Sequence, residues 1–272
     1  MGNVGSNDGV RIASLPTEAK VPEYEVLLRT EARHPYVVYI LAFNEGPRLA
    51  QQLDRFPKDS ERGFDIMLGD DGSTDGTSVS ELMEQYAIRG ATRLRRNSGL
   101  SQNIKVALQW LYGQNYKGVI LMNGNNRDDP STVPEFIRAL EGGYGYVQGS
   151  RFRAGGKHEN TPWIRLWAIR LLHAPLFSLA SLKWMTDTTN GYRAFSMAFL
   201  RDRRVEPFQP AFVKYEIEQY LAWKAIRLGY GAKEIPVGRV YSAGGFTSHI
   251  RPGGAGWKDM LRPLIMLLLR RY

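Results

Sequence analysis

Four times between Tyr36 and Leu140, a short run of β-branched and aliphatic residues gives way to a stretch with apolar residues at helical spacing. Tyr36–Ala42 (YVVYILA), Phe64–Leu68 (FDIML), Thr92–Leu94 and Gly118–Met122 (GVILM) read as buried strands. Arg48–Phe56, Ser80–Ile88, Leu100–Tyr112 and Pro134–Leu140 read as the helices between and after them. Strands that are apolar on both faces and alternate with helices predict an α/β fold, with a mainly parallel, Rossmann-like sheet covered by helices on both sides. Tyr144–Gly149 and Glu234–Val237 add two further strands, and Phe212–Leu228 a further helix.

In such sheets ligands bind outside the carboxyl ends of the strands. Three polar clusters fall there: Asn44-Glu45, Asp70-Asp71 and Asn123–Asp129. The run Asp70-Asp71-Gly72-Ser73-Thr74-Asp75-Gly76-Thr77 contains good turn and helix-cap residues, which accounts for its glycines and hydroxyls. It does not account for two adjacent carboxylates at the end of a buried strand. Such carboxylates can accept hydrogen bonds from a nucleobase N–H or a ribose hydroxyl.

Several chemistries are excluded. Among 272 residues there is no cysteine, so there is no disulfide framework, thiolate metal site or cysteine nucleophile. The sequence lacks GxGxxG, GxxxxGK[ST] and GxSxG. Its four histidines (His34, His158, His173, His249) have no metal-ligand spacing and read as surface or packing residues.

Phe43-Asn44-Glu45, the DDGSTDGT run and Asn97-Ser98-Gly99-Leu100 together resemble family 2 glycosyltransferases of the GT-A fold. Gly149-Ser150-Arg151, Thr189–Ala194 (TNGYRA) and Lys233–Val237 (KEIPV) extend the resemblance over residues 36–250. They point to the branch containing dolichyl- and polyprenyl-phosphate mannose or glucose synthases. The resemblance implies that Phe43, Asn44, Glu45, Asp70, Asp71, Asn97, Gly99 and Asn123 form a nucleotide site. It places Arg151 at the donor diphosphate or the acceptor phosphate, where a guanidinium can bind phosphate oxygens in pairs. Arg193 fits the same role, with a structural ion pair as its alternative. Arg165, Arg239 and Ser248 are candidates for the acceptor phosphate. Glu216 or Glu218 would serve as base if the acceptor were a hydroxyl, although acids in a first helical turn also complement the helix dipole.

One departure stands out. Where the family places an Asp-x-Asp that binds a divalent ion, this chain has Asn123-Gly124-Asn125, followed by Asn126-Arg127-Asp128-Asp129. Mg²⁺ and Mn²⁺ prefer carboxylate oxygens. Three readings follow: Asn123 and Asn125 with Asp128 or Asp129 hold a metal weakly, Arg127 supplies part of the metal's charge, or the protein binds without catalysing. The expectation is activity with altered metal dependence.

Thirty-six Lys/Arg against 27 Asp/Glu give a net charge of +9. The excess concentrates in 151–183 and 251–272, which are also rich in Trp, Leu and Ile, so nucleic acid is not the expected partner. Trp163, Trp167 and Trp184 with Arg165, Arg170 and Lys183 resemble an interfacial helix, where rings sit at headgroup depth and cations meet phosphate. The stretch Trp163–Trp184 reads as one helix interrupted at Pro175, and Lys258–Arg271 as a second basic amphipathic helix. An oligomer contact is the alternative use for both. The first residues lack the apolar core of a secretory signal, and no run is long enough for a transmembrane helix. The expected organisation is an extension over 1–34, a GT-A domain over 35–250 and an amphipathic helix over 251–272. The expected activity is inverting transfer of a sugar from a UDP- or GDP-sugar to a polyprenyl phosphate at the cytoplasmic membrane face.

Overall fold

A computed structural model describes residues 11–12, 21–159, 161, 163–240 and 254–269. Its strands are β1 (Arg11–Ile12), β2 (Tyr24–Leu28), β3 (Tyr36–Ala42), β4 (Asp65–Asp70), β5 (Gly90–Leu94), β6 (Gly118–Asn123), β7 (Tyr146–Ser150), β8 (Lys157–Glu159), β9 (Arg193–Ser196), β10 (Ala232–Pro236) and β11 (Gly238–Val240). Its helices are α1 (Pro47–Leu53), α2 (Val79–Gln85), α3 (Leu100–Tyr112), α4 (Val133–Glu141), α5 (Trp163–Ala168), α6 (Ala174–Ser181), α7 (Met197–Leu200), α8 (Glu216–Arg227) and α9 (Gly254–Leu268).

The described strands form a nine-stranded sheet in the order β1-β2-β5-β4-β3-β6-β9-β7-β10, with a small second sheet of β11 and β8. The β3–β4, β3–β6, β4–β5 and β7–β10 pairs are parallel. All seven residues of β3 are buried, because each face of the strand meets a different helical layer. Val37, Tyr39 and Leu41 pack with Ile104 and Leu108 of α3 and Leu221 of α8. Val38 and Ile40 point the other way, onto Leu49 of α1, Met83 of α2 and Phe136 of α4. The alternation of side chains across a strand thus turns one apolar run into two cores.

Three features differ from the sequence-based expectation. Residues 24–28, within the stretch expected as an extension, form a strand antiparallel to β5. The four-residue β9 lies antiparallel between β6 and β7, in the middle of the sheet. The stretch from Trp163 is broken before Pro175 rather than at it, by a π-helical turn over Ile169–His173. Proline lacks the N–H that an α-helix would direct at the carbonyl four residues back. The wider π turn takes up that mismatch, and Pro175 then sits in the first turn of α6. Among the described residues no helix is long and apolar enough to cross a membrane.

Candidate active site

A cleft of about 480 Å³ opens at the carboxyl ends of β3, β4 and β6. Of the expected residues, Phe43, Glu45, Asp71, Asn97, Gly99, Asn123, Asn125, Arg127 and Arg239 line it, together with Glu218. These positions come from distant parts of the chain, and the parallel sheet converges them by delivering each strand end to the same edge.

Asp71 forms one wall. Its carboxylate accepts the backbone N–H groups of Ser98 and Gly99, each at 2.8 Å. Burial raises its pKa, and those two donors partly offset the rise. The turn beneath it requires glycine at position 72, where φ is +69° and a Cβ would lie 2.5 Å from the Arg96 carbonyl carbon. Asp70 does not line the cleft. One of its oxygens accepts from Ser73 N at 2.9 Å, and the other lies 3.2 Å from Arg93 Nε on β5. Asn44 is likewise turned away, its side-chain oxygen accepting from Thr74 N at 2.7 Å. Asp70 and Asn44 therefore shape the loop that presents Asp71. Glu45 stays in the cleft wall beside Arg48, 2.9 Å away.

The loop after β6 forms the opposite wall, and α1 holds it in place. Asn126 N donates to Gln52 Oε1 at 2.7 Å, and Arg55 donates to Asn126 Oδ1 and to the Asp128 carbonyl, both at 3.1 Å. Asn125 Oδ1 is buried with no hydrogen-bond partner. Asn123 leaves its side chain against Gly191, where an added Cβ would come within 2.5 Å of its Nδ2. Asp128 is fully buried and ion-paired to Arg239, whose Nη1 also donates to Asn190 Oδ1 at 3.0 Å.

Arg151, Arg193 and Glu216 also lie outside the cleft lining. Arg151 is buried on Asp187, with Nε–Oδ2 at 2.7 Å and Nη2–Oδ1 at 2.8 Å, and it also donates to Thr189 Oγ1. Burial opposes ionisation of Asp187, but the Arg151 charge and its hydrogen bonds outweigh that and hold the carboxyl below its usual range. Arg151 therefore braces the 186–190 loop. Arg193 is buried beneath the cleft, donating to the Asn190 and Glu218 carbonyls with the Glu218 carboxylate 3.3 Å away. This is the structural ion pair of the two alternatives. Glu216 is also fully engaged: Oε2 accepts from Val213 N and Lys214 N, and Oε1 from Arg262 at 2.9 Å. Glu218, two residues along α8, is the acid that reaches the cleft. Burial pushes its carboxyl pKa up, against the pull of Arg193 and Arg239. Arg165 falls on α5, and Ser248 lies outside the described residues.

The cleft has a wall that sequence reasoning missed. Asp259, Met260 and Pro263 of α9 line it, as does His173 from the π turn. Lys214 binds Asp259 at 2.6 Å, and Arg262 binds Glu216, so two ion pairs tie α9 to the start of α8. His173 shares a 2.6 Å hydrogen bond with Thr188 Oγ1, and burial lowers its pKa to about 4. Along the chain no second metal-type ligand stands at a fixed spacing from this imidazole. Only the fold brings it to the cleft.

The expected divalent ion fits this donor set poorly. At the end of β6 the side-chain oxygens belong to neutral amides, and the buried carboxylate nearest in sequence, Asp128, is already paired with Arg239. Among the described residues no three His, Asp or Glu side chains group in a way that could hold a metal.

Residues 37–204 match the family described as glycosyl transferase family 2, and the chain belongs to that family. Its fold is GT-A. Among curated proteins it is 25% identical over 177 residues to a polyprenol monophosphomannose synthase of Mycolicibacterium smegmatis, covering 63% of this chain and 65% of that one. A dolichol-phosphate mannosyltransferase of Pyrococcus furiosus is 24% identical over 174 residues, covering 62% of this chain and 48% of that one. The match thus spans less than two thirds of either relative. Among solved structures, glucosyl-3-phosphoglycerate synthase from Mycobacterium tuberculosis, in complex with Mn²⁺, UDP and phosphoglyceric acid, superposes with a TM-score of 0.59 at 17% identity, covering 88% of this chain and 78% of that one. S. aureus TarS in complex with UDP-GlcNAc gives 0.53 at 14%, covering 86% and 66%.

Proposed function

We propose that the chain transfers a sugar from a UDP- or GDP-sugar to a polyprenyl phosphate, with inversion, at the cytoplasmic face of a membrane. The observation that carries this reading is that the helices walling the cleft also carry an exposed apolar face. His173 and Met260 line the cleft from the π turn and α9. On the same segments Trp163 is 70% exposed, Trp167 53% and Leu171 67%, and Trp184 just beyond α6 is 70% exposed. Ile265, Leu268 and Leu269 continue the exposed apolar surface on and just beyond α9. Arg170 and Lys183 flank the tryptophans in sequence, a pattern suited to a membrane with anionic headgroups. A lipid-borne acceptor would reach the cleft from that surface. The two curated relatives, whose names specify polyprenol and dolichol phosphate, support the same acceptor class.

In this reading Asp71 and the 97–99 loop hold the nucleoside, and Phe43 packs beside it. An oxygen of the acceptor phosphate attacks the anomeric carbon from the face opposite the nucleoside diphosphate. The new carbon–oxygen bond forms as the old one breaks, and the bonding electrons leave with the diphosphate. The acceptor phosphate is ionised near neutral pH and needs no base. Arg127 and Arg239 are the lining cations that would stabilise the leaving group.

A saccharide hydroxyl as acceptor is the second reading, favoured by Glu218, a buried cleft carboxyl with a raised pKa. The test supplies radiolabelled UDP- and GDP-sugars with a short polyprenyl phosphate in vesicles, and separately with soluble saccharides. Label in a lipid product, undiminished in Glu218→Gln, supports the phosphate acceptor. Label only in saccharide, lost in Glu218→Gln while nucleotide still binds, selects the hydroxyl reading. Donor binding with no transfer to either acceptor would make the chain a nucleotide-sugar-binding module.

A further inference from the structure

We infer that this cleft holds the donor's diphosphate with Arg127 and Arg239 in place of a divalent cation. The inference rests on the reading of the cleft as a nucleotide-sugar site and concerns how that site handles charge.

A divalent ion between a protein and a diphosphate requires hard, negatively charged oxygens from the protein. The end of β6 offers the amides of Asn123 and Asn125. An amide oxygen lacks the full charge that offsets the cost of stripping water from Mg²⁺ or Mn²⁺. The lone acceptor at Asn125 Oδ1, buried and without a partner, suits a single donor such as a sugar or ribose hydroxyl.

The acid that could have rescued a metal is committed elsewhere. Asp128 lies under Arg239, and an isolated antiparallel bridge between residues 128 and 239 holds their backbones together. Arg239 is therefore fixed beside the β6 loop, braced by Asp128 and by Asn190 Oδ1 at 3.0 Å. Glu218, across the cleft, lies in the field of Arg193 and Arg239. A dication placed here would meet the like charges of Arg127 and Arg239 before it met an uncommitted carboxylate of the 123–129 loop.

The two arginines suit the role the ion would otherwise play. They reach the cleft from adjoining segments, Arg127 from the loop after β6 and Arg239 from β11, where Val240 N donates to the Arg127 carbonyl at 3.3 Å. A guanidinium stays charged at any physiological pH and can pair with two phosphate oxygens at once. Arg239, buried and held at two points, loses little side-chain freedom when a diphosphate binds.

The test is calorimetric titration of UDP, GDP and the parent nucleosides into the full chain, in EDTA and in Mn²⁺. Removing Arg239 would strand the buried Asp128, so the probing variant is Arg127→Ala, at a half-buried position. The expected result is diphosphate affinity in EDTA within about threefold of that in Mn²⁺, falling about tenfold or more in Arg127→Ala. Nucleoside affinity should be unchanged by the substitution. Asn125→Asp should bind Mn²⁺ as detected by electron paramagnetic resonance, where the unaltered chain does not. Binding that appears only with Mn²⁺ overturns the inference and leaves the proposed function standing. Binding in EDTA that is indifferent to Arg127→Ala overturns the assignment to arginine. If no nucleotide binds under any condition, both the inference and the proposed function fall.

Discussion

Arg151 and Asp187 face each other across a two-point ion pair, at 2.7 and 2.8 Å, with both side chains out of water. The pair ties the end of β7 to the loop that carries Thr189 and Gly191 to the cleft. Arg151→Ala would leave an uncompensated buried carboxylate, a loss of about 3–5 kcal/mol. Denaturant unfolding should show that loss. In the fraction that remains folded, nucleotide affinity measured calorimetrically should change little, whereas a direct phosphate contact would weaken it sharply.

Glu216 and Glu218 should separate in the same way. Glu216→Gln removes the charge that binds Arg262 and weakens the acceptance of two backbone N–H groups, a loss of about 1–3 kcal/mol. Limited proteolysis should then cut α9 faster, and the pH dependence of any transfer activity should keep its shape. A changed pH profile would return Glu216 to the list of candidate bases.

His173 makes stability depend on pH. Its pKa is about 4 when folded and about 6.5 when unfolded, so the unfolded chain binds the extra proton first as pH falls. The stability present above pH 6.5 should decline by up to about 3 kcal/mol between pH 6.5 and 4, with no further loss from this group below that. The burial-raised carboxyls of Asp71, Glu218 and Glu234 act in the opposite direction. The informative quantity is therefore the difference between the unaltered chain and His173→Gln, in which the decline should be absent.

Gly191 gives Asn123 its place. A methyl group there would come within 2.5 Å of Asn123 Nδ2, so Gly191→Ala should push that amide into the cleft. Thermal unfolding should shift little, because the displaced group is the end of a side chain that can turn. Nucleotide affinity should fall severalfold. An unchanged affinity would remove Asn123 from the binding surface.

Replacing Trp163, Trp167 and Leu171 together with serine should abolish sedimentation with anionic vesicles. Unfolding should change by only about 0.5 kcal/mol per site, since these side chains are largely exposed. Retained vesicle binding would point to another surface.

The sequence revealed most where physics is local. Seven consecutive apolar residues at β3 predict a strand buried on both sides, and the turn residues of 70–77 predict the loop that follows. It revealed less where meaning depends on a distant partner. Gly149-Ser150-Arg151 carries no sign that Asp187 will meet its guanidinium. Glu216 and Glu218 look alike along the chain, yet two residues on a helix is more than half a turn, enough to send one to a loop and the other to the cleft. The strand Arg193–Ser196 has little strand signature of its own and forms because β6 and β7 present open edges to it. Nothing local to Asp259 or Met260 hints that they line the cleft.

The wall formed by α9 also has a consequence in time. Domains fold largely in the order they leave the ribosome. The strands that end at Asp70 and Asn123 are synthesised well before the segment holding Asp259. During that interval the site is an open trough. It gains its last wall only when Lys214 and Glu216 pair with α9. A premature stop before Gly254 would therefore leave every described strand in place and the cleft short of one wall.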